Sequence, residues 1–106
     1  MLAWFFKLKD WQQHIVAALG IQAAYAAGFA IAGHWLLGLF VGAIAATHQF
    51  FGRENRDAEN ADPSLYDSLR GLWPPNWRAD MRSDFYRPAM AVWGAVACGV
   101  LIEVFL

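Results

Sequence analysis

Residues 14–51 read HIVAALGIQAAYAAGFAIAGHWLLGLFVGAIAATHQFF and contain no Asp, Glu, Lys or Arg. As one continuous helix this stretch would reach roughly 57 Å, about twice the hydrocarbon thickness of a bilayer, so it must fold back once. Ala32-Gly33-His34 is the natural break, leaving a first span over 14–31 and a second over 35–51. Downstream, residues 88–106 carry Glu103 as their single charge and supply a third span. Pro88 suits the first turn of that third helix, where its missing N–H would have no partner anyway. The expected fold is an all-α integral membrane protein, a three-transmembrane-helix bundle forming one membrane domain over 1–106.

Composition agrees with lipid as the solvent. Of 106 residues, 58% are hydrophobic and only 16% charged, with a mean hydropathy of +0.30. A soluble chain this short needs far more polar residues to cover its surface. Intrinsic disorder requires the opposite balance, and a disulfide scaffold requires more than Cys98. A formal net charge of −1 gives no electrostatic basis for nucleic-acid binding. Ala24-Tyr25-Ala26 resembles a signal-peptide cleavage site, but Trp4, Phe5, Phe6 and Asp10 do not make a simple basic leader. Residues 1–13 read instead as an interfacial segment, with aromatic side chains at headgroup level and Lys7 and Lys9 toward anionic lipid.

Three spans place all eight basic residues on one side: Lys7, Lys9, Arg53, Arg56, Arg70, Arg78, Arg82 and Arg87. The positive-inside rule makes that side cytoplasmic, with the N-terminus in and the C-terminus out. The second helix is expected to continue past the membrane to about residue 60, because Gly52 is the lone breaker in Gly52-Arg53-Glu54-Asn55-Arg56-Asp57-Ala58-Glu59-Asn60. The rest of the loop, within 52–87, is expected to hold an amphipathic helix from Pro63 to about Leu72, capped by Asp62. Trp73-Pro74-Pro75-Asn76-Trp77 then interrupts regular structure and is expected to set two indoles at the interface.

Each span carries a ridge of small residues repeating every four positions: Gly20, Ala24 and Gly28; Gly38, Gly42 and Ala46; Ala91, Ala95 and Gly99. Such ridges let helix backbones approach closely. They serve either packing within the chain or association with a second copy or a host membrane protein.

Topology draws His14, His48, Glu54, Asp80 and Asp84 to one boundary, with His34 on the other side. Their simplest roles are hydrated helix ends and ion pairs. Glu54, where the second helix leaves the hydrocarbon, is expected to engage Arg53, Arg87 or His14, because charge in low dielectric must be compensated. The sharper reading gives His14, His48, Glu54 and Asp84 proton-handling roles, with Arg53, Arg56 and Arg87 holding a lipid headgroup or ion-pair partners. Asp80 and Asp84, one turn apart, suit either a hard cation or the arginines. No metal motif of recognised spacing occurs and no cofactor is implied. Cys98 falls mid-span as an apolar filler, and Ser64, Ser68 and Ser83 lack a nucleophile context.

Asp10-x-x-x-His14 opens the first span, Gly52-Arg53-Glu54 with Ala58-Glu59 closes the second, and Asn76-Trp77 with Ser83-Asp84-Phe85 and Pro88 opens the third. This combination resembles small phage and prophage inner-membrane proteins of uncharacterised role. More remotely it is similar to the VanZ-like group of small membrane proteins, which also place a His at the first helix start and acidic residues at later helix ends. The resemblance implies a phage-derived protein of the host inner membrane and no established reaction. Two function classes follow: a non-catalytic, oligomerising membrane effector, holin-like in length and span count, and an interfacial enzyme acting on a lipid phosphate. They differ in whether the polar side chains face one another around a pocket.

Overall fold

The computed structural model describes residues 3–62 and 72–106, and all regular structure among them is helical. A single turn, α1 (Ala3–Phe6), precedes α2 (Asp10–Ile31) and α3 (Trp35–Ala61). A 3-10 turn at Pro74–Asn76 leads into α4 (Ala79–Phe105). Helices α2, α3 and α4 are each long and apolar enough to cross a membrane, and each contacts the other two. The protein is therefore a three-helix membrane bundle.

Local chemistry sets the helix ends. At the start of α2 the Lys9 N–H donates to Gln12 Oε1 at 3.0 Å, the reach-back half of a capping box. Asp10 in the first turn suits the positive end of the helix dipole. At the other end, His34 N–H returns to Phe29 O and Gly33 N–H to Ala30 O, both at 2.9 Å. That is a Schellman ending, and it requires the left-handed backbone that Gly33 adopts at φ 83°. The expected break at 32–34 is thus a built turn.

Two expectations need correction, and one falls outside the described residues. The third helix starts at Ala79, nine residues before Pro88, which sits buried in its interior. Proline inside a helix removes one N–H and leaves the Asp84 carbonyl without its usual donor, and packing of the surrounding turns carries the helix through. Trp77 is packed into the protein rather than presented at its surface. It is 3% exposed, and its ring lies 5.5 Å from Phe51 and 5.7 Å from Phe85. With Phe51 and Phe85 themselves 5.6 Å apart, the three rings close an aromatic cluster that seats the loop on the helices. Trp73 is exposed. The helix expected over 63–72 lies almost wholly outside the described residues.

Small residues bring the helices together unevenly. A Cβ on Gly38 would stand 2.7 Å from Ala26 Cα, one on Gly42 2.8 Å from Gln22 Cα, and one on Gly99 2.7 Å from Leu39 Cδ1. These three glycines are contact points within the chain. Gly20 and Gly28 have nothing within 4 Å of such a Cβ, so their face of α2 is open. Close approach at Gly42 has a polar consequence. The Gln22 side chain, 2% exposed, donates from Nε2 to the carbonyls of Leu39 at 3.0 Å and Val92 at 2.9 Å. One amide thereby joins α2 to both other helices. Nearer the polar end, Trp93 Nε1 donates to Thr47 Oγ1 at 3.0 Å, linking α4 to α3.

Candidate functional site

Because the three helices alternate in direction, the start of α2, the end of α3 and the start of α4 share one end of the bundle. His14 lies one turn into α2, Glu54 one turn beyond Phe50 on α3, and Asp84 one turn before Pro88 on α4. Their side chains meet. One nitrogen or oxygen from each lies within 4.8 Å of those of the other two. His14 Nδ1 is 3.6 Å from Asp84 Oδ1, too long for a hydrogen bond, and this buried nitrogen has no hydrogen-bond partner. The His14 ring also stands 5.5 Å from Phe50, an apolar wall.

Burial is graded across this centre. The Glu54 side chain is 2% exposed, that of His14 13% and that of Asp84 30%. Glu54 and Asp84 both lie outside the apolar spans 35–51 and 88–106, yet neither is fully hydrated. Burial first, and then the neighbouring Asp84 and Asp57 charges, push the Glu54 carboxyl up to about 7. Burial likewise raises Asp84, while His14 opposes the shift.

The described basic residues do not close over this centre. Arg53 Nε approaches Glu54 Oε1 at 3.8 Å, but the arginine side chain is 58% exposed. Of its expected partners Glu54 meets Arg53, and only loosely; His14 stands within 4.8 Å without a hydrogen bond to it, and Arg87 lies elsewhere. Arg87 stacks over the Trp11 ring at 4.4 Å. Asp80 separates from Asp84: it is gripped by the fork of Arg78 at 3.3 and 3.0 Å, and these hydrogen bonds hold its carboxyl below the usual range. His48 and Arg56 are exposed and line, with Gln49, Gly52, Arg53 and Asp57, a polar depression along α3. Of the four proton-handling candidates the structure assembles three, His14, Glu54 and Asp84, and leaves His48 apart.

Sequence reasoning missed Gln22. Its signal was a lone amide amid apolar residues at mid-span, where a polar group must find a partner. Cys98 is exposed on α4, on the bundle's outer surface.

Two carboxylates and one imidazole make an anionic centre. It attracts a cation or a proton and repels a phosphate. No protein-family model, curated protein or solved structure matches this chain.

Proposed function

We propose that the protein is a small effector of the bacterial inner membrane, of the phage type its motifs resemble, that acts through association of its helices rather than by catalysis. The observation that carries this reading is the division of its glycines. Gly38, Gly42 and Gly99 are consumed inside the bundle, whereas Gly20 and Gly28 face outward beside Ala24. Lipid covers such a face without gain, while a second helix lying on it gains close backbone contact. The basic end faces the cytoplasm in this reading, because Lys7, Lys9, Arg53, Arg56, Arg78, Arg82 and Arg87 gather there.

The enzyme reading retains one supporting observation, the meeting of His14, Glu54 and Asp84. Against it, Glu54 is buried away from substrate, Arg87 is taken up by Trp11, and Arg53 and Arg56 lie exposed along α3, with Arg53 alone reaching Glu54, at 3.8 Å.

The test is expression in a bacterial host with membrane potential, growth and lipid composition followed together. An effector is expected to change potential or growth at constant lipid composition. Altered headgroup composition with intact potential would put the enzyme first.

A further inference from the structure

We propose that His14, Glu54 and Asp84 form a binding site for one divalent transition-metal ion, of the Zn2+ or Mn2+ class, that ties α2, α3 and α4 together at the basic end. This goes beyond the effector reading and does not rest on it.

Geometry points to a ligand set rather than to a finished hydrogen-bond network. The three potential ligand atoms, one from each helix, lie within 4.8 Å of one another. Ligands on a tetrahedral Zn2+ at 2.0–2.2 Å stand roughly 3.3–3.6 Å apart. The His14–Asp84 separation of 3.6 Å already meets that spacing. Closing the remaining gaps takes side-chain rotation on the order of 1 Å, within reach of the flexible Glu54 stem.

The second line of support is unmet bonding in a buried place. Glu54 is 2% exposed and meets a cation only at the rim of the centre. Its nearest cation among the described residues, the exposed Arg53, stays at 3.8 Å. His14 Nδ1 is buried with no hydrogen-bond partner. Apposing two carboxylates in such surroundings costs free energy that a dication removes, while a monocationic imidazole offsets half of the charge.

Donor chemistry then selects the class. An imidazole nitrogen with two carboxylates suits Zn2+, Mn2+ or Fe2+, whereas Ca2+ and Mg2+ favour oxygen throughout. Three protein ligands leave one tetrahedral position for water. Asp84, the most exposed of the three at 30%, marks the side from which ion and water arrive.

The experiment uses tag-free full-length protein in detergent micelles, stripped with chelator and dialysed against ZnCl2, with bound metal measured by mass spectrometry. One zinc per chain is expected. Asp84→Asn and His14→Ala are each expected to weaken binding at least tenfold at unchanged helicity. Asp80→Asn, one turn away and paired with Arg78, should stay within twofold. Zn2+ is also expected to raise the unfolding temperature of the parent protein, a readout that requires no variant to fold, and a hundredfold excess of Mg2+ should not displace it. A folded parent protein that binds no zinc, or zinc that remains bound after His14→Ala through His34 or His48, overturns the site. The effector reading would survive that failure, since it is read from potential and growth.

Discussion

The side-chain amide of Gln22 donates to the carbonyl oxygen of Val92, 70 residues away in sequence, at 2.9 Å. The same nitrogen donates to Leu39, so this one group reports on the contact of all three helices. Interhelical hydrogen bonds inside a membrane are worth about 0.6 kcal/mol on average and up to about 1.7, because the separated helices find other partners. Gln22→Leu, close in volume, is expected to lower unfolding stability by roughly 1 kcal/mol without preventing insertion. Reversible unfolding in mixed micelles measures it. A loss well above 3 kcal/mol would mean that Gln22 holds more than these two bonds.

The glycines separate folding from association. Gly42→Ile drives a branched side chain into the Gln22 backbone and should sharply reduce accumulation of the protein. Gly28→Ile meets open space within the chain. It should accumulate normally yet lose cysteine crosslinking between copies along the Gly20–Gly28 face. Leu37→Ile, on an exposed position, is the neutral control. Equal crosslinking of Gly28→Ile and parent would remove the association surface.

Stability should fall as pH rises from about 5 to 7 in metal-free protein. The Glu54 carboxyl is raised from 4.5 to about 7 by burial and by Asp84. The folded state therefore holds a proton that the unfolded state has released, and each step up in pH favours unfolding. Among the described residues, the groups facing Glu54 are His14 from α2, Asp84 and Asp80 from α4, and Arg53 and Asp57 from α3 itself. A drop of roughly 5 to 10 °C in unfolding temperature is expected across this window, with Glu54→Gln flattening it. A parent protein that becomes more stable over the same range contradicts the buried, protonated carboxyl.

Glu54→Gln also weighs the two function classes, since it keeps shape while removing charge and proton affinity. The effector reading expects activity in proportion to protein level. An abundant, inserted and inactive variant would make this carboxyl a working group.

A reporter fused after Leu106 is expected in the periplasm, and one inserted near Asn60 in the cytoplasm. The same reporters in the opposite compartments would invert the assignment drawn from the basic residues.

The sequence by itself determined the membrane class, the number of spans and the turn at Gly33. Those properties depend on runs of uncharged residues and on one backbone conformation, and both are written locally. It also drew His14, Glu54 and Asp84 to one end of the bundle, because three alternating spans bring those segment ends to the same side. Rotation about each helix axis was not legible, since α2 and α4 are apolar nearly all round and lipid exerts no preference between their faces. Only the tertiary structure decided that Gly38, Gly42 and Gly99 turn inward while Gly20 and Gly28 turn out. It likewise decided that Arg87 leaves Glu54 for Trp11, and that Asp84 joins His14 while Asp80 goes to Arg78. Close contact at Gly42 and the partners required by Gln22 fix those rotations, and both are properties of two or three helices at once.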